Sequence, residues 1–169
     1  MLKKYSKIFA VISTVILLTM ALAGCGGGRT LQKPAMQEGA VAVEVTGSCD
    51  IKLENGVITV SGETNLMNGA IVYISVEAQN GITLDSRKSI VGGESISEDF
   101  VVSGDKYDDS VKTITGHITC APRLYGNQNP DILNVYGSKF ENIQSEGNLI
   151  WDSTGCFVVF GSKTIDFTK

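Results

Sequence analysis

Apolar and polar side chains alternate along most of the chain beyond residue 40, and this period of two predicts strands. Val41-Ala42-Val43-Glu44-Val45 reads as the first. Asn55-Gly56 then lies between two alternating runs, the strongest short-range hairpin signal. A two-residue loop would pair Glu54 with Val57, Lys52 with Thr59, Leu53 with Ile58 and Ile51 with Val60. That register puts Ile51, Leu53, Ile58 and Val60 on one face, so pattern and turn agree, and Cys49 falls in line with them. Ala70 to Ala78 alternates again, with Val72, Ile74, Val76 and Ala78 on one side and Ile71, Tyr73, Ser75 and Glu77 on the other. Asn80-Gly81 follows, but a two-residue loop there would pair Val76 with Asp85 and Glu77 with Leu84, mixing the faces. A bulge or a longer connection is therefore expected before an extended Ile82 to Ile90.

Ser95 to Val102 is a further strand with Ile96, Phe100 and Val102 inward. Glu98 falls on the same face and points to an edge position. Val111 to Ala121 places Ile114, Gly116, Ile118 and Cys120 on one face and Thr113, Thr115, His117 and Thr119 on the other. Asn129-Pro130 is a helix start, with Asn as cap and Pro at the first helical position. Ile132, Leu133, Val135 and Tyr136 follow at helical spacing, and Gly137 can close the helix. Leu149-Ile150-Trp151, Cys156 to Phe160 and Thr164 to Phe167 read as short closing strands. Seven to nine short strands with one short helix indicate an all-β fold, a β-sandwich.

The first 25 residues follow a different pattern. Lys3, Lys4 and Lys7 precede an apolar run from Ile8 to Leu22, which ends in the small residues Ala23 and Gly24 and then Cys25. This is the layout of a secretory signal peptide, and the run is short for a spanning helix. Leu22-Ala23-Gly24-Cys25 closely resembles the lipobox of bacterial lipoproteins. The resemblance implies cleavage between Gly24 and Cys25 and a diacylglyceryl thioether on the Cys25 sulfur. Two acyl chains anchor a protein stably to a membrane without spanning it. Residues 1–24 are thus expected to be the signal peptide. Residues 25–39, opening with Gly26-Gly27-Gly28, are expected to be a flexible linker. The β-sandwich is expected over 40–169.

Val60-Ser61-Gly62-Glu63-Thr64-Asn65-Leu66, a strand entering a turn, and Asn129-Pro130 leading to Tyr136-Gly137 are similar to segments of immunoglobulin-like domains of bacterial surface lipoproteins. This resemblance covers roughly residues 41–168. It implies an immunoglobulin-like sandwich and brings no catalytic residue with it.

Charge narrows the partners. The formal net charge of −4 becomes −7 once the three lysines of the signal peptide are gone, because that segment holds no acid. An acidic domain lacks the basic face that nucleic acid requires. With Cys25 lipidated, Cys49, Cys120 and Cys156 remain, so two of the three can form a disulfide, in any of three pairings.

Catalytic and metal chemistry find little support. His117 is the single histidine, lies on a Thr-rich strand face, and has no Gly-x-Ser-x-Gly nucleophile elbow to serve. With Cys49, Cys120 and Cys156 it makes four zinc-type ligands, but no Cys-x-x-Cys occurs, and His117 and Cys120 point to opposite faces. Asp105, Asp108 and Asp109 read as a solvated turn rather than a calcium loop. Glu98 with Asp99, or Glu141 with Asp152, would need a pocket to act as an acid–base pair. No metal and no cofactor is expected. Tyr125, Tyr136 and Trp151 are the candidate binding aromatics, Tyr125 in a turn-rich loop being the best placed for exposure. The functional expectation is a lipid-anchored extracytoplasmic lipoprotein on the cell membrane, displaying a non-catalytic module that binds a protein or glycan partner. The alternative is a structural or accessory subunit of a membrane or envelope assembly.

Overall fold

The computed structural model describes residues 33–123, 126–145, 149–152 and 154–168, all within a unit running Gln32–Lys169. The expected signal peptide over residues 1–24, including Gly24, and the residues Cys25 and Tyr125 lie outside the described residues. The elements in chain order are β1 (Val43–Glu44), β2 (Asp50–Glu54), β3 (Val57–Glu63), β4 (Ile71–Ala78), β5 (Thr83–Ile90), β6 (Ser95–Val101), β7 (Thr113–Cys120), helix α1 (Pro130–Tyr136), β8 (Ile143–Gln144), β9 (Leu149–Asp152), β10 (Gly155–Gly161) and β11 (Ile165–Asp166). A single 3-10 turn, Asp105–Tyr107, precedes β7. The fold is an all-β sandwich with one short helix. Among the described residues, eight strands have four residues or more, and β1, β8 and β11 are two-residue pieces.

The larger sheet runs β5-β4-β7-β10-β9, with β11 also on β7, and the smaller runs β2-β3-β6. β1 and β8 pair in parallel as a separate ribbon. In the β2–β3 hairpin the register is Glu54 with Val57, Leu53 with Ile58, Lys52 with Thr59 and Ile51 with Val60, as the alternation requires. Asn55 and Gly56 both take positive φ, 51° and 75°. That is the primed turn whose twist suits two adjoining strands.

The inner face of the larger sheet is built in rows. Val72, Cys120 and Val158 form one, and Ile74, Ile118 and Phe160 the next. All six side chains are buried. Gly116 continues this face. A Cβ there would sit 3.0 Å from a Val60 methyl, so the missing side chain lets the small sheet approach. β10 and β11 meet β7 on the same side. Gly161 pairs with His117 and Ile165 with Ile114, so one extra residue is taken up between them.

The Asn80-Gly81 connection resolves as both a longer loop and a bulge. Gly81 N–H bonds Ala78 O at 2.9 Å with Gly81 at φ 76°, and Ala78 N–H bonds Ile82 O. The register then shifts between Val76–Asp85 and Glu77–Thr83, leaving Leu84 as the inserted residue. The bulge turns Leu84 into the core. Beyond it, Asp85, Arg87 and Ser89 lie opposite Val76, Ile74 and Val72, so an edge strand turns polar groups inward. Glu98 sits on the other sheet's edge strand, opposite Val60, 3.7 Å from the Arg87 guanidinium. Arg87 also lies 5.4 Å from the Phe100 ring centroid.

Helix α1 begins as its sequence requires: Asn129 Oδ1 accepts the Asp131 N–H, and Pro130 opens the first turn. Gly137 caps the far end by donating to Leu133 O. Ile132 and Tyr136 are buried against the sandwich. No helix among the described residues is long and apolar enough to cross a membrane.

Candidate functional site

Strand direction decides which connections meet. The β2–β3 turn, the β4–β5 turn, the β6–β7 connection and the chain's last described residues gather at one end of the sandwich. Val102 N–H bonds Gly56 O, Phe167 N–H bonds Lys112 O, and Gln79 Oε1 accepts the Lys112 N–H. Three concavities open there. One of about 310 Å³ is lined by Asp108, Asp109, Val111, Lys112, Phe167 and Thr168. A second, about 350 Å³, adjoins it between Phe167 and the Asn55-Gly56 turn. A third, about 180 Å³, lies between the Asn80-Gly81 loop and Asp105, Lys106 and Ser110.

Tyr107 holds this end together. It is fully buried, with its ring 5.8 Å from that of Phe167. Lys106 spans from 5.5 Å over the same ring to Asp85 Oδ2 at 2.7 Å. Burial, with the Asp85 charge adding, pushes the Tyr107 phenol up to about 12. Asp108 Oδ1 accepts the Ser110 N–H at 2.8 Å and so closes its own turn. Among the described residues, no three His, Cys, Asp or Glu side chains converge on a metal position.

At the opposite end the chain enters. Lys33 Nζ donates to Ile143 O at 2.9 Å and lies 5.6 Å over the Trp151 ring. The chain thus touches the domain before Ala40. Trp151 pairs with Cys156 and faces inward, half-buried. Tyr136, expected as a binding aromatic, is instead a core residue with no exposed surface. Its hydroxyl accepts the Met67 N–H at 2.7 Å, and its ring meets Phe140 edge-on at 5.4 Å. Helical spacing places Tyr136 on the buried face of α1, and one backbone donor satisfies its polar tip. Tyr136 and Trp151 therefore form no shared exposed patch.

The three thiols are unpaired. Cys120 and Cys156 lie on the inner face of neighbouring strands, because Cys120 pairs with Val158, two residues from Cys156. Burial pushes both thiols up to about 12, Cys156 against the opposing pull of Lys33. Cys49 is half-buried, packs on the core, and is raised to about 11 by burial and the Asp50 charge. Thiols held protonated are poor nucleophiles.

His117 lies on the outer face of the larger sheet, opposite Ser75, with Nε2 3.5 Å from Glu77 Oε2. Glu98 and Asp99 alternate across β6, Glu98 toward Arg87 and Asp99 toward the Thr59 hydroxyl at 2.6 Å. Glu141 is buried and accepts the Lys139 N–H. Asp152 accepts from Thr154 and Gly155, and its side-chain bond with Thr154 holds its carboxyl below the usual carboxylate range. Neither carboxylate pair lines any of the three concavities above. The loop end thus sets charged rims around its hollows, Asp108, Asp109 and Lys112 on one and Asp105, Lys106 and Asp108 on another.

Sequence reading missed this gathering of loops, although strand direction carries its signal: in an antiparallel sandwich alternate connections fall at the same end. Comparison with protein-family models, with curated proteins and with solved structures finds no match.

Proposed function

We propose that this chain is a lipid-anchored extracytoplasmic protein whose β-sandwich presents a non-catalytic binding surface to an envelope or extracellular partner. The observation that carries the reading is the opposition of two ends. The chain enters beside Ile143 and Trp151, whereas the hollows rimmed by Asp105, Asp108, Asp109, Lys106 and Lys112 lie at the other end. A tether at one end leaves the other free to meet a partner, and the sequence before Lys33 supplies the lipobox for such a tether.

Two measurements test this. Intact mass of the protein from its native membrane, beside a Cys25→Ala version, should correspond to Cys25–Lys169 plus diacylglyceryl. An unmodified, uncleaved chain would overturn the anchor. Photocrosslinkers at Asn80 and Asp109 should then yield a defined adduct that one at Lys139 does not; adducts only from Lys139 would overturn the assignment of the loop end. The alternative, an accessory subunit of an envelope assembly, draws on the edge strand β9. Its Leu149-Ile150-Trp151 carries no charge, and a constant partner pairing there would displace Lys33 from Trp151.

A further inference from the structure

One row of the outer face differs from the rest. Ile90 pairs with Ile71, and Phe157 pairs with Ile150. Val72 and Val158 both pair with Cys120, so Ile71 and Phe157 are each one step further toward the same end of the sheet. The four side chains therefore lie along one rim of the sheet, a pair on each side of the position of Ala121, on the face turned away from the small sheet. Ile90 and Ile150 are 64% and 58% exposed, and Ile71 and Phe157 are half-buried. Tyr73 and Val159 flank Thr119 in the next row, with Lys88 at its edge. Further along, the face turns polar through Ser75, His117, Glu77 and Thr115.

This row lies at the end where the chain enters. Lys33 covers Trp151, the neighbour of Ile150 in β9. Eight residue steps separate Lys33 from Cys25, a span of no more than about 29 Å when fully extended. That is close to the length of one eight-residue strand, about 26 Å. A lipid on Cys25 thus confines this rim to the neighbourhood of the bilayer. Confinement turns a contact too weak to hold a free protein into an intramolecular one. Lys33 lies over Trp151 at this end and Lys88 pairs with Tyr73 in the next row, two cations suited to headgroup phosphates. Asp152 is at the same end, its carboxylate engaged by Thr154 and Gly155.

We propose that the rim formed by Ile90, Ile71, Phe157 and Ile150 rests on the surface of the bilayer that holds the Cys25 anchor, orienting the loop end away from the membrane. The proposal rests on the lipoprotein reading above, and the test separates the two. Trp151 is the chain's single tryptophan and a native reporter beside the rim. The full mature protein is reconstituted into phosphatidylcholine–phosphatidylglycerol vesicles containing brominated lipid, after intact mass has established the state of Cys25. Trp151 emission should be quenched, and a reporter at the far end, Asn80→Trp in a Trp151→Phe background, should not. The pair Ile90→Glu and Ile150→Glu, both at exposed positions, should abolish the difference while leaving the melting temperature unchanged. Equal quenching at both ends in a diacylated protein would overturn the rim contact and leave the anchor standing. Unquenched dimers that the two substitutions convert to monomers would overturn it in favour of a second copy on this face. An unmodified Cys25 would remove the anchor reading, and this proposal with it.

Discussion

Gln128→Met tests a side chain that does the work of a strand. β4 begins at Ile71 and β7 ends at Cys120, and beyond that pair the two chains separate. The Gln128 amide fills the opening. Its Oε1 accepts the Ile71 N–H at 2.8 Å, and its Nε2 donates to Ile71 O at 2.7 Å and to Ala121 O at 2.9 Å. The residue is buried. Methionine keeps the length and removes all three bonds, together with the weak one that Nε2 donates to the Cys120 sulfur at 3.7 Å. Ile71 O retains a weak donor in the Cys120 thiol at 3.5 Å, so the groups left unpaired are the Ile71 N–H and the Ala121 O. Each unsatisfied buried group costs about 1–3 kcal/mol, so the expected loss is about 3 kcal/mol, a large share of the roughly 5–15 kcal/mol that holds a domain together. Urea unfolding followed by Trp151 fluorescence reads this as a lower midpoint at constant slope, and amide exchange at Ile71 should accelerate. Gln128→Glu adds a sign. Burial opposite two carbonyl oxygens raises the folded-state value of the new carboxyl above its unfolded value of about 4.3. The variant's stability is then greatest below that unfolded value and falls as pH rises through the folded one. A Gln128→Met loss below about 0.5 kcal/mol, with Ile71 exchange unchanged, would refute the claim that this amide closes the sheet.

Other positions give independent checks. Gly62→Ala would drive a Cβ into Ser48 O and to 2.9 Å from Ile118 Cδ1. It should cost about 3 kcal/mol, read as a large drop in melting temperature. Gly56→Val, at φ 75°, should cost about 1–2 kcal/mol in the same assay, with no loss expected if the turn could flip to negative φ. Maleimide labelling of Cys120 and Cys156 at neutral pH should track global unfolding. Because folding raises these thiols from 9.0 to about 12, stability should hold below 9.0 and decline as pH rises toward 12, a decline that Cys120→Ala with Cys156→Ala should reduce. Lys33→Ala should lower stability by no more than about 1 kcal/mol. It should also shift Trp151 emission and promote concentration-dependent self-association in sedimentation.

The parts of the fold legible in the sequence are those governed by near neighbours. The Asn55-Gly56 hairpin could be read to the residue because turn and alternation impose the same register. The conflict at Asn80-Gly81 was legible as a conflict, and the inserted Leu84 resolves it. Asn129 as a helix cap needed only the next two residues. What could not be read depends on partners far along the chain. Trp151 is shielded by Lys33, and Tyr136 is buried because Met67 supplies a donor to its hydroxyl. Gln128, in a stretch that reads as loop, reaches back to Ile71. Phe140 takes a φ of 59° in the core, a conformation its own sequence disfavours and its packing on Tyr136 supports. Of the candidate site, the Asp105–Asp109 turn was visible as a charged loop. The neighbours that make it part of a surface, Phe167 and the Asn80 loop, depend on strand order.

The edges of the two sheets connect fold to placement. β5 turns Asp85 and Arg87 inward, β6 carries Glu98 and Asp99, and β2 alternates Asp50, Lys52 and Glu54. The Arg87–Glu98 pair, at 3.7 Å with the Arg half in solvent, adds little stability of its own. Its position makes better sense as a block, because a strand docking on β5 or β6 would have to bury those charges. β9 has no such block before Asp152. The group that guards it comes from outside the strand: the Lys33 ammonium lies over the Trp151 ring and donates to Ile143 O. The same residue thus stands beside the unprotected edge, at the point where the chain enters. An edge guarded by its own side chains is closed wherever the domain goes. An edge whose guard is the incoming chain stays covered only while that chain keeps its place, and Lys33→Ala removes that guard.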